Sequence, residues 1–84
     1  MTATRRTNET RRYDANLVKN YNPAAVWDYR RKAGLSERML AQGIGVKEAD
    51  IFRWEDNTNR SGIPYTTLMA MARMLECTVD ELLL

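Results

Sequence analysis

An all-α domain of five short helices, behind a basic N-terminal arm expected to be flexible, is what these 84 residues predict. Two observations carry that expectation. From Asn22 onward, cap residues, prolines and glycines bracket short apolar stripes at three- and four-residue spacing, the period of a half-buried helix. Before that point the composition changes: residues 1–22 carry five cations against two carboxylates, a net +3, whereas residues 23–84 carry eight against nine, a net −1. The length allows one domain, and a 44% apolar content is that of a globular chain.

The arm, residues 1–22, holds Arg5, Arg6, Arg11 and Arg12 among threonines and asparagines, with local order expected only near Tyr13, Leu17 and Val18. The domain proper is read as 23–84. Asn22-Pro23 is an N-cap followed by proline at the first helical position, opening a helix over about 23–33 whose periodic residues are Val26, Tyr29, Arg30 and Ala33. Gly34 stops it. Ser36 caps the next helix, with Met39, Leu40 and Ile44 as its inward stripe and Gly43 and Gly45 as its end. A third short helix runs from Lys47 to Trp54, with Ile51 and Trp54 on one face. Two short helices joined through a turn at Gly45 form a helix-turn-helix. Residues 56–63 have no apolar period and read as a loop. Pro64 opens a longer helix to about Glu76, with Leu68, Met71, Ala72 and Leu75 buried, and Thr78-Val79-Asp80-Glu81 is a capping box for a fifth helix ending in Leu82, Leu83 and Leu84.

Composition excludes several function classes. The chain has no His, the commonest general base and metal ligand, and its single Cys77 forms neither an internal disulfide nor a thiolate cluster. No apolar run approaches the ~20 residues of a membrane span, and the polar, Arg-rich start has no apolar segment behind it, so no secretory signal and a cytoplasmic location are expected. Ser36 is a cap and Cys77 has no base beside it, so no nucleophile–base pair is in view. The expectation is a binding module, not an enzyme, with no metal and no cofactor.

The stretch from Gly34-Leu35-Ser36 through Trp54-Glu55 resembles, without a gap, the Cro/C1-type (XRE family) helix-turn-helix DNA-binding domain, a compact lambda-repressor-like fold. Ala41, Gly45 and Ile51, four and six residues apart, stand where that family needs a small residue at the helix crossing, a left-handed turn and an apolar residue packing back. The flanks agree, with Arg30 four residues before Gly34 and Ala72-Arg73-Met74-Leu75 leading to Thr78-Val79-Asp80-Glu81, so the resemblance spans roughly 24–83. It implies that Arg30 pairs with Glu55, both structural, and that Trp54 is a core residue. Trp27 and the methionines at 39, 69, 71 and 74 are also expected in the core, Met69 having an outward alternative.

The resemblance further implies a recognition helix whose N-terminal residues meet base edges. Those are Lys47, Glu48 and Ala49, with Arg53 on the same side; Phe52 is left open between the outer face and the edge of the core. Lys47 and Arg53 suit guanine, Ala49 a thymine methyl and Glu48 a cytosine amino group. Phosphate-contact candidates are Ser36, Glu37 and Arg38 at the start of the first helix of the motif, and Asn57, Asn59 and Arg60 in the following loop. The expected partner is double-stranded DNA, bound by a homodimer, with the function of a transcriptional regulator, most simply a repressor. The alternative is a protein-interaction module or antitoxin that uses the same fold on a protein partner, for which Glu48 and Asp50 supply an acidic helix face.

Overall fold

The computed structural model describes residues 17–59 and 61–84. Its elements run β1 (Leu17–Val18), α1 (Pro23–Lys32), α2 (Glu37–Ile44), α3 (Glu48–Trp54), β2 (Ile63–Pro64), α4 (Tyr65–Met74) and a closing 3-10 turn (Asp80–Leu82). Arg5, Arg6, Arg11, Arg12 and Arg60 lie outside the described residues.

Local chemistry accounts for the helix starts. The Asn22 side chain accepts the Ala24 N–H at 3.1 Å with Pro23 at the first helical position, and the Ser36 hydroxyl accepts the Met39 N–H at 3.0 Å. These satisfy backbone donors that a helix start leaves orphaned. α2 ends at Gly45, whose φ of 78° is left-handed, but Gly43 lies inside the helix and has a different role: a Cβ there would collide with the Met74 thioether. Its missing side chain lets α2 approach α4. α4 ends two residues earlier than the sequence suggests, with Glu76 at a left-handed φ of 55°.

Among the described residues the five-helix expectation is corrected to four α-helices and one 3-10 turn. The Thr78–Glu81 box does form, since Glu81 accepts the Thr78 N–H at 2.9 Å and the Thr78 hydroxyl accepts the Glu81 N–H at 3.2 Å. The Thr78 N–H, with the Tyr29 hydroxyl donating at 2.8 Å, holds the Glu81 carboxyl below its ordinary value. The box opens only one 3-10 turn because the last residues pair with the segment before α1. Tyr21 bridges Leu83, Asn22 N–H donates to the Leu82 carbonyl at 2.7 Å, and Leu84 N–H donates to the Asn20 carbonyl at 2.9 Å. Extended backbone at Leu83 makes those bonds, and a helix would use up the same groups internally. Leu82 is fully buried and Leu83 packs on the core, leaving Leu84 exposed.

Residues 17–22, grouped with the arm by their composition, therefore pack with the body. β1 pairs antiparallel with β2, Leu17 opposite Pro64 and Val18 opposite Ile63, and Tyr21 is only 3% exposed. Val26, Leu40, Ile51, Ile63, Leu68, Met71 and Leu82 complete a core drawn from every helix. Two residues expected inside are outside: Met39, and Trp27, whose ring instead carries the Arg31 guanidinium at 4.6 Å. Met69 takes its outward alternative. Cys77 is half-buried, and that burial pushes its thiol pKa up.

The ribbon can be tested at Gly62. A Cβ there would come 2.7 Å from Leu17 Cβ and 3.2 Å from the Val18 carbonyl. Neither atom is a flexible side-chain end, so Gly62→Ala is expected to cost about 1–3 kcal/mol and lower Tm by several degrees. An unchanged thermal melt would show that β1 does not pack there.

Candidate nucleic-acid interface

α2 packs more extensively on α3 than any other pair of elements packs together. Three residues make the close approach feasible. Ala41, 2% exposed, presents only a methyl group at the crossing. Gly45 turns the chain, and the Gly45 and Val46 N–H groups both donate to the Ala41 carbonyl, at 2.9 and 3.0 Å. Its left-handed φ would strain any residue with a Cβ. Ile51, fully buried, and Trp54, 3% exposed, fasten the inner face of α3 to the core.

The far end of α3 is held by a single guanidinium. Arg30 is 7% exposed and donates through Nε to Glu55 Oε2 at 2.5 Å, through Nη2 to Glu55 Oε1 at 3.1 Å and through Nη1 to the Leu35 carbonyl at 2.9 Å. Glu37 adds an ion pair at 3.5 Å. One side chain of α1 thus reaches the α1–α2 loop, the first turn of α2 and the end of α3. The hydrogen-bonded Glu55 carboxylate raises the Arg30 pKa further above its ordinary value, against the opposing effect of burial.

These anchors leave the opposite side of α3 to solvent. Lys47, Glu48, Ala49, Phe52 and Arg53 are all exposed. Phe52, at 53% exposure, resolves to the outer face; it stands three residues after Ala49 and four after Glu48, a spacing that places the three together on a helix. Asp50 faces sideways: one oxygen accepts the Lys47 N–H at 3.2 Å and the other pairs with Arg53 Nη2 at 2.9 Å. The Arg53 guanidinium also lies 5.5 Å from the centroid of the Trp54 ring. The Trp54 indole N–H has no hydrogen-bond partner among the described residues.

The phosphate candidates divide by what they already do. Arg38 and Asn57 are exposed. The Ser36 hydroxyl is committed to its cap, and Glu37, half-buried, turns its charge toward Arg30. Asn59 braces the loop, its Nδ2 donating to the Arg53 carbonyl at 3.0 Å and its Oδ1 accepting from the Ser61 N–H at 3.1 Å and hydroxyl at 3.0 Å. The Thr58 N–H and hydroxyl donate to Asp56, the N–H bond lowering its pKa most. Asn57 and Asn59 also line an open groove of about 330 Å³ with Lys19, Tyr21 and Leu84. Among the described residues no group of His, Cys, Asp and Glu can hold a metal, and no helix is long and apolar enough to cross a membrane.

A family model described as helix-turn-helix matches residues 28–82, and the chain belongs to that family, the Cro/C1-type (XRE) helix-turn-helix proteins. The family is one of DNA-binding transcription regulators. No curated protein and no solved structure matches the chain.

The latch carries a direct expectation. Arg30→Ala leaves the nearly buried Glu55 carboxylate without its partner and should cost about 3 kcal/mol. On a domain of this size that lowers Tm by about 12 °C or more. A melting temperature within a degree or two of the wild type refutes the latch.

Proposed function

We propose that this chain is a sequence-specific DNA-binding regulator, most simply a repressor, that reads the major groove with α3 as a homodimer. The observation that carries this is the two-sided build of α3: Ile51, Trp54 and Glu55 bind it to the body, while Lys47, Glu48, Ala49 and Arg53 are exposed together. A helix held rigidly from behind and polar in front is what direct base readout requires. Lys47 and Arg53 donate to guanine, Ala49 packs on a thymine methyl and Glu48 accepts from a cytosine amino group. A single short helix covers only a few base pairs, so two copies one helical turn apart are needed for useful specificity.

Arg38, Asn57 and Arg60 supply phosphate contacts from side chains. At Ser36 and Glu37 the backbone start of α2 serves instead, because both side chains are engaged within the fold. Asn59 acts by shaping the loop. Arg5, Arg6, Arg11 and Arg12 add the phosphate neutralisation that a body of net charge −1 lacks. A second reading, a protein-interaction or antitoxin module, is favoured by one observation: Trp27 is 42% exposed with Arg31 stacked on it, residue types that dominate protein–protein hot spots.

Selection of a binding site from a random duplex library tests the proposal. Lys47→Ala and Arg53→Ala should each weaken binding to the selected site about tenfold or more while leaving the thermal melt nearly unchanged. Deleting residues 1–16 should flatten the salt dependence more than it alters sequence preference. Enrichment of no site, or variants that bind as well as wild type, contradicts it.

A further inference from the structure

Asp50 presents a problem for a helix that faces DNA. Its carboxylate sits on the same seven-residue helix as Arg53, three residues after the Lys47 N-cap, where a negative charge repels phosphates. The contacts around it suggest why such a charge is tolerable there. Oδ2 is fixed by the Lys47 backbone N–H at 3.2 Å, so the carboxylate is tied to the backbone of the helix start. Oδ1 holds Arg53 Nη2 at 2.9 Å. The Arg53 guanidinium also lies 5.5 Å from the centroid of the Trp54 ring, itself 3% exposed and part of the core. An exposed three-apart ion pair is ordinarily mobile and worth little. This one has a carboxylate anchored to backbone and a guanidinium backed by a buried ring, and still leaves the Arg53 side chain 46% exposed.

We propose that Asp50 is a positioning residue that fixes the Arg53 fork for base readout, trading general affinity for duplex DNA against discrimination between sequences. The proposal rests on the DNA-reading function above. An arginine already held in its bound geometry loses little side-chain freedom on meeting guanine, and its orientation, not only its charge, then decides which base is accepted. The same carboxylate lowers affinity for every duplex, because it opposes phosphates regardless of sequence. Affinity and specificity should therefore move in opposite directions when Asp50 loses its charge.

Asp50→Asn makes the test. Asparagine keeps an acceptor for the Lys47 N–H, so the start of α3 is preserved, and a thermal melt verifies this. Fluorescence anisotropy is read on two duplexes, the site selected by the wild type and a random one, with the full chain. Expected for D50N are a random-duplex affinity about twofold higher and a specific-to-random ratio about tenfold lower. The loss should concentrate at the base pair that Arg53→Lys also relaxes, since that variant keeps the charge and loses the fork. In the Arg53→Lys background, Asp50→Asn should change the ratio no further. A selected site with D50N retaining the wild-type ratio, or losing it equally at every base pair, overturns the positioning role while leaving the DNA-reading function intact. Enrichment of no site by the wild type overturns both. If D50N fails to fold, Arg53→Lys decides: an unchanged ratio shows that no fixed fork is being read.

Discussion

The Arg30 guanidinium is the contact on which the arrangement of the motif depends. It reaches Glu55 at the end of α3, the Leu35 carbonyl in the loop and Glu37 at the start of α2, all from one position on α1. α2 and α3 have eight and seven residues, too short to hold helical structure alone in water. Their shape comes from packing, and packing through Leu40, Ala41, Ile51 and Trp54 fixes how near the helices lie more firmly than how they are oriented. A bidentate arginine–carboxylate pair adds direction, because the planar fork accepts one approach. Burial makes that pair costly to break from one side, since the remaining charge has lost its water.

Charge placement follows from the same contacts. Glu37 and Glu55 share the single charge of Arg30, and Asp50 pairs with Arg53, so three carboxylates of the motif face two cations within the protein. Arg38, Lys47 and Glu48 remain exposed on the motif. The charge of the body is thus unevenly placed, and its formal net value does not give the charge of any one surface.

Much of this was legible from residue types. Ala41, Gly45 and Ile51 mark the crossing, the turn and the inward anchor because each position tolerates few side chains. Ser36 and the Thr78–Glu81 box are caps whose chemistry is local. What escaped depends on distant partners. β1 and β2 are two residues each, with no period to detect, and β2 contains Pro64. The segment after Glu81 has helical residue types, yet its backbone is claimed by Asn20, Tyr21 and Asn22. Gly43 reads as a helix stop until the Met74 side chain is seen against it. In the site, the exposure of Lys47, Ala49 and Arg53 agrees with the helical period, and Phe52 joins them only once the inner face is known. The direction of Glu37 and the anchoring of Asp50 were not readable, because spacing shows which charges are near but not which partner each one takes.

Binding of the full chain to a random duplex, followed by fluorescence anisotropy across a range of salt concentrations, is the decisive measurement of whether the protein engages DNA. Measurable binding is expected near 50 mM salt, with the logarithm of the association constant falling linearly with the logarithm of salt at about 0.9 per neutralised phosphate. No binding at that salt, or an affinity indifferent to salt, would contradict a DNA-facing α3.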